Sequence, residues 1–266
     1  MLSAERNRQL RRLLVEQGSL QVSTEAKRFG VSEETIRRDI KRLAADGLAD
    51  PVFGGAVLRP AAGSAPRPVP PVGERGLVEG EAKDAIGEAA ARLVEPGQAV
   101  ILDAGTTTLA VARHLAAHRN LTVITNSIPV AELCARNPTG VTYVVGGKLV
   151  PASLSMIGPG AERDLAQISA DWAFIGAAAV DVAGGFTSAD PYEAQVKRAM
   201  IRAARQAVIV VDPTKFGTRR FATFARAADI AHVVTTKDCP TDVRAWLEGS
   251  GVGLTLCDPK SGKGAA

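Results

Sequence analysis

Aromatic side chains are scarce in this sequence, 4% of 266 residues, so a surface that stacks on unpaired bases is hard to assemble. The three cysteines, Cys134, Cys239 and Cys257, are odd in number, far apart and without histidine clusters nearby. That pattern argues against a disulfide framework and a zinc site, and it fits a reducing cytoplasm. No apolar run approaches the roughly 18 residues a bilayer span requires. The opening MLSAERNRQLRRLL is broken by charge and lacks the apolar stretch of a secretion signal. His114 and His118 stand at i and i+4, but no third ligand accompanies them, so a solvated surface pair is expected and no metal. Neither a Walker loop nor a G-x-G-x-x-G fingerprint is present, so ATP and dinucleotide cofactors are not expected.

What is present is an ordinary core composition, 46% hydrophobic and 23% charged. The net charge of +4 is uneven: the first 60 residues hold 11 Lys/Arg against 8 Asp/Glu, and the rest are nearly balanced. Excess positive charge at one end is a weak pointer to a nucleic-acid partner. The segment RPAAGSAPRPVPPVG (59–73) carries five prolines and no periodic apolar pattern, which reads as a semi-rigid spacer between two domains, 1–58 and 74–257. Residues 258–266 read as a flexible tail.

Three short helices are expected before the spacer. The first covers about 4–16, with Leu10, Leu13 and Leu14 on one face. The second covers about 24–29, with Ser23 as N-cap. After a Gly30-Val31 turn, Ser32 caps a third helix that runs to about Ala45 and ends at Gly47. On the third helix Ile36, Ile40 and Leu43 form an apolar stripe. Glu34, Arg38 and Lys41 lie nearly opposite it, flanked by Arg37 and Arg42. A short helix, a tight turn and a second helix with a basic outer face is helix-turn-helix geometry. Asp39, at the border of the buried face, is expected to brace the helix against an arginine, either Arg42 or one on the first helix. Such a pair contributes a few tenths of a kcal/mol if exposed.

The block STEAKRFGVSEETIRRDIKRLAADG, with TIRRD its most specific part and Gly54-Gly55-Ala56 after it, resembles the DNA-binding signature of the DeoR family of bacterial transcriptional regulators. The resemblance implies a winged helix-turn-helix with Ser32, Thr35, Arg37, Arg38 and Arg42 near double-stranded operator DNA. Ser23, Thr24, Glu34 and Lys41 complete the candidate set. One departure stands out: the family carries a basic residue and a histidine before the wing glycines, and here the sequence is Asp50-Pro51-Val52-Phe53.

Downstream, apolar runs at 99–102, 121–124, 141–145, 172–175, 207–211 and 232–235 read as strands. Helical patterns at 81–93, 109–117, 129–136 and 192–204 fall between several of them. Such alternation predicts an α/β domain with a largely parallel sheet, whose ligands bind at the carboxyl ends of the strands. Four polar loops follow strands: Asp103 to Thr108, Thr125-Asn126-Ser127, Gly146-Gly147-Lys148, and Asp212 to Lys215. The first, ILDAGTTTLAVARHL, sets Gly105, Thr106, Thr107 and Thr108 at a helix start, where amides and the dipole favour an anion. Threonines there are also common as plain caps.

The segments LDAGTTT, VITNS, VVGGKL, WAFIGAAAVDVAGGFT and VVDPTKFG resemble, in order, the blocks of the DeoR-type sensor domain. The resemblance implies a fold similar to ribose-5-phosphate isomerase and the CoA-transferase-like proteins, with a phosphorylated sugar or related metabolite as effector. Gly105–Thr108 would then cradle the phosphate and Asp103 would hold sugar hydroxyls. Thr125, Asn126, Ser127, Gly147, Lys148 and Lys215 would complete the pocket, with Asp181 and Lys197 as ligand-orienting or structural residues. The alternative, a sugar-phosphate isomerase, needs placed acid and base groups. The paired-acid DGADE segment of those enzymes appears here as Ala177-Ala178-Ala179-Val180-Asp181. The expectation is therefore a regulator without catalysis, acting on DNA as a homodimer or homotetramer.

Overall fold

The structure is a computed structural model that describes residues 3–17, 19–52, 54–58 and 79–259. The chain divides into two compact units, Met1–Arg67 and Pro68–Ala266. The spacer expected at 59–73 and residues 260–266 of the expected tail lie outside the described residues.

The first unit runs α1 (Ser3–Gln17), β1 (Ser19–Gln21), α2 (Val22–Phe29), α3 (Glu33–Ala45), β2 (Ala49–Val52) and β3 (Gly55–Leu58). Leu10 and Leu14 of α1, Val22 and Ala26 of α2, and Ile36, Ile40 and Leu43 of α3 pack into one core with Leu20, Ala49 and Ala56. The i, i+4, i+7 stripe on α3 is what this core selects. The second helix begins earlier than the sequence suggests: Gln21 occupies the cap position with no side-chain capping bond to the helix amides, and Ser23 lies inside the first turn, exposed. Val22 belongs to the helix because its side chain is buried, and that burial outweighs the capping preference of Ser23. Ser32 does cap α3, accepting from the Thr35 amide at 3.2 Å. Gly30 sits at φ 62° and so makes the left-handed turn between α2 and α3.

Strands β2 and β3 form an antiparallel hairpin, and β3 also pairs with β1. Gly55 is required by close approach, since a Cβ there would lie 2.0 Å from the Leu20 carbonyl oxygen. The hairpin after α3 is the wing. Phe53 and the side chains of Asp50 and Val52, where the sequence departs from the DeoR pattern, lie outside the described residues.

The second unit is built on seven parallel strands. These are β4 (Ala99–Leu102), β5 (Thr122–Thr125), β6 (Val141–Val144), β9 (Ala170–Gly176), β12 (Ala204–Val210), β14 (His232–Thr236) and β15 (Gly253–Cys257). Their order across the sheet is β15-β14-β12-β9-β4-β5-β6. Strand alternation divides the core. Val100, Leu102, Phe174, Val208 and Val210 face α4 (Gly80–Ala91), α5 (Thr106–Leu115) and α6 (Ile128–Cys134). Ile101, Ile175 and Ile209 face α7 (Pro159–Leu165), α8 (Pro191–Ala203) and α9 (Thr241–Gly249) on the other side. Two additions go beyond the elements expected from the sequence. One is an antiparallel hairpin, β7 (Lys148–Val150) with β8 (Ser155–Ile157). The other is a small antiparallel sheet of β10 (Ala179–Asp181), β11 (Gly185–Ser188) and β13 (Ala222–Ala225).

Candidate DNA-reading face and sensor site

On α3 the buried residues are Ile36, Asp39, Ile40 and Leu43, while Glu34, Arg37, Arg38, Lys41 and Arg42 are exposed. The candidate DNA residues therefore share the outer side, with Ser23 and Thr24 exposed on α2. They are not equivalent. Arg37 is already engaged by Glu33 at 2.7 Å and Glu34 at 3.8 Å. No described acid pairs with Arg38 or Lys41. The hydroxyls of Ser32 and Thr35 bond each other at 2.9 Å.

Asp39 is a brace, and its principal partner is on the first helix. Arg6 Nε donates to Asp39 Oδ2 at 2.6 Å, and the two side chains are 8% and 2% exposed. Arg42 Nη1 is 3.9 Å from the other oxygen. Because the pair is buried, the few tenths of a kcal/mol assigned to an exposed pair do not apply.

In the second unit the parallel topology brings the loops after β4, β5, β6, β9 and β12 to one edge, the carboxyl edge. At its centre Asp103 is buried, and its Oδ2 accepts from Lys197 Nζ and from the Gly176 amide at 3.1 Å. Lys197 also donates to the Gly176 carbonyl at 3.0 Å and lies 5.5 Å from the Phe224 ring centre. Burial pushes the Asp103 carboxyl above its ordinary range, outweighing the opposing pull of Lys197 and of the Gly176 and Ala104 amides. Lys197 thus ties α8 to β4 and β9 under the site, and Asp103 is satisfied within the protein.

The α5 N-terminus next to it has Gly105 at the cap position and no capping side chain. Its first-turn amides, Thr106 to Thr108, have no intrahelical acceptor. The Thr108 hydroxyl turns inward, donating to the Gly105 carbonyl at 3.0 Å, and Thr107 is buried. Donors for an anion here are therefore amides, with Gly105 and Thr106 half-exposed.

On the neighbouring loop Thr125 and Ser127 have internal tasks. The Thr125 hydroxyl donates to the Leu102 carbonyl at 2.6 Å and accepts from the Ser127 amide at 3.0 Å, and Ser127 caps α6. Asn126 is 3% exposed, and its Nδ2 donates to the Met156 carbonyl at 3.0 Å. Gly147 must stay glycine, since a Cβ would come 2.5 Å from the Ile157 carbonyl oxygen. Lys148 is exposed, close enough to the half-buried Asp190 to lower its pKa, though burial raises that carboxyl overall. Lys215 is half-buried, its Nζ 3.9 Å from Asp212, which itself caps the turn at Thr214. Asp181 caps the β10–β11 turn by accepting from the Gly184 amide. The expected surface pair of histidines is also redistributed: His114 Nε2 lies 2.9 Å from Asp84 Oδ1.

Sequence reasoning missed a polar cluster at the start of α8. Asp190 caps that helix, and Glu193 accepts from Ser188 at 2.8 Å and from Ser153 at 3.4 Å, with Ser153 bonded to Ser155 at 2.7 Å. The D-P-x-E spacing marks the cap, but the serines come from β8, its turn and β11, and no local pattern links them.

A model of the DeoR-like helix-turn-helix domain matches residues 6–60, and one of the DeoR C terminal sensor domain matches residues 78–237. The chain belongs to the DeoR family of transcriptional regulators. The HTH-type transcriptional regulator GlpR of Haloferax volcanii is 32% identical over 95% of this chain and 97% of that protein. The HTH-type transcriptional repressor CsqR of Escherichia coli is 32% identical over 94% of each. The glycerol-3-phosphate regulon repressor of Escherichia coli is 28% identical over 97% of this chain and all of that protein. These relatives are regulators and not enzymes, and this DeoR protein is a regulator that joins a DNA-binding module to a small-molecule sensor. Among solved structures, ribose 5 phosphate isomerase A from Neisseria gonorrhoeae is similar over 52% of this chain and 54% of that one, at 16% identity and TM-score 0.38. RipA from Yersinia pestis is similar over 64% and 52%, at 14% identity and TM-score 0.43. No described helix is long and apolar enough to cross a membrane.

Proposed function

We propose that this DeoR regulator is a cytoplasmic repressor of a carbohydrate-metabolism operon, controlled by a phosphorylated sugar or related metabolite. The observation that carries the reading is the α5 N-terminus, without a capping side chain, at the carboxyl edge of the sheet beside the Asp103–Lys197 pair. The name of the relative that represses a glycerol-3-phosphate regulon supports a phosphorylated effector. Gly105–Thr108 take the phosphate, Lys148 and Lys215 supply polar groups around it, Asn126 belongs to the part of the pocket beyond the phosphate, and Lys197 fixes the floor. Residues 1–58 read operator DNA through Arg38, Lys41 and their neighbours, 59–73 link the domains, and 74–257 sense. One helix-turn-helix reads few base pairs, so a homodimer or homotetramer binds a two-fold operator. Control is linkage: the effector changes DNA affinity by its differential binding to two states, and a nearly complete switch needs about 5.5 kcal/mol.

The test is fluorescence anisotropy of DNA from the chain's own upstream region, titrated with phosphorylated and unphosphorylated sugars. Thr106→Glu places a carboxylate in the proposed anion position at a site where helices accept one. It should bind DNA as the parent does and ignore phosphorylated effectors. An unphosphorylated sugar acting as strongly, or a full response in the variant, would overturn the reading.

A further inference from the structure

We infer that Asn126 reads a hydrogen-bond donor on the effector, so the site selects a hydroxylated phosphate over one that carries only acceptors. This rests on the anion site proposed at α5. Asn126 Oδ1 is buried and has no hydrogen-bond partner among the described residues. The orientation of the amide is fixed by its neighbour, because exchanging the two atoms would set oxygen against the Met156 carbonyl that Nδ2 now meets. The backbone is held as well, with the Met156 amide donating to the Asn126 carbonyl at 2.8 Å. Oδ1 is thus a rigid, preorganised acceptor.

Its place matters. Leu102 and Thr125 are partners in the β4–β5 register, so Asp103 and Asn126 leave adjacent strands side by side. The α5 N-terminus follows three residues after Asp103. One end of this edge offers amide donors, which suit phosphate oxygens. Asn126 offers an acceptor, which repels a phosphate or carboxylate oxygen and needs an O–H or N–H. Thr125 and Ser127 on the same loop already have their hydroxyls engaged. Asp103, the residue first expected to hold hydroxyls, is occupied by Lys197 and Gly176. The hydroxyl-reading role falls to Asn126.

The test is isothermal titration of the full chain with glycerol, pentose and hexose phosphates, with phosphoglycolate as the acceptor-only analogue, and with inorganic phosphate. The best hydroxylated phosphate should bind at least about tenfold more tightly than phosphoglycolate, as a site built to pair a hydroxyl rejects a ligand lacking it. Asn126→Leu, close in volume, should bring that ratio toward one while inorganic phosphate binding stays within about twofold. Asn126→Ser is the second variant, and unchanged DNA affinity and melting temperature identify the variant that has folded. A parent that binds phosphoglycolate equally well, or a folded variant that keeps the discrimination, overturns the inference and leaves the anion site standing. Failure of every phosphate to bind the parent overturns both.

Discussion

Asp39→Asn is the most demanding test of the DNA-binding unit. The substitution removes the charge that Arg6 meets at 2.6 Å, with both side chains at or below 8% exposure. It leaves a guanidinium in the core, and breaking a buried pair from one side costs about 3–5 kcal/mol. At about 0.05–0.15 kcal/mol per residue, the whole stability of a unit spanning Met1–Arg67 is about 3–10 kcal/mol. The substitution should therefore remove a large part of it, and operator binding should fall through unfolding. Hydrogen exchange read by mass spectrometry on α1 and α3 reports this unit apart from the sensor. Amides of both helices should exchange about two to three and a half orders of magnitude faster than in the parent, at about 1.4 kcal/mol per tenfold. The double replacement Arg6→Met/Asp39→Leu exchanges the pair for apolar packing and should restore protection. Exchange in Asp39→Asn within about tenfold of the parent, or a double variant as exposed as the single one, would refute the reasoning.

Two further outcomes follow from the charges. Arg38→Ala should reduce the salt dependence of operator binding by about 0.9 in log–log slope, the amount expected when one fewer phosphate is neutralised. Arg37→Ala should reduce it by less, because Glu33 and Glu34 already share its charge, and equal reductions in a salt titration would contradict this. Lys197→Met removes the cation beside a carboxyl whose pKa burial already raises. A raised folded pKa stabilises below the unfolded value and the benefit is lost as pH rises through the folded one, so the variant's melting temperature should fall further behind the parent's as pH rises from about 4. Lys197→Met/Asp103→Asn should lack that added slope, and a single variant that gains on the parent as pH rises would show the sign to be wrong.

Much of this architecture was legible because it is periodic. The α3 stripe, the run Ala99–Leu102 and the helix after Asp190 each announce themselves within a dozen residues, and the structure places them within a few positions of their expected bounds. Ser23 shows the limit of local rules, since a buried Val22 moved the helix start ahead of the better cap. The β7–β8 hairpin and the β10–β11–β13 sheet have strands of three or four residues, too short for a period to register. The pairs that organise the two units were least readable of all. Arg6 meets Asp39 across 33 positions and Lys197 meets Asp103 across 94, so only the folded chain reveals which cation answers which carboxylate.

The two sides of α3 have a consequence for how such a regulator diverges. The residues that pack the helix against its unit, Ile36, Asp39, Ile40 and Leu43, are buried. Arg38 and Lys41 are tied to no described acid and can be exchanged without disturbing that anchorage. After a gene duplication, a copy could acquire a new operator through a few outward substitutions while keeping its fold, its wing and its sensor. On the proposed reading, the same separation would let an engineer treat the outer residues of α3 as a cassette and retarget the protein without touching its second unit.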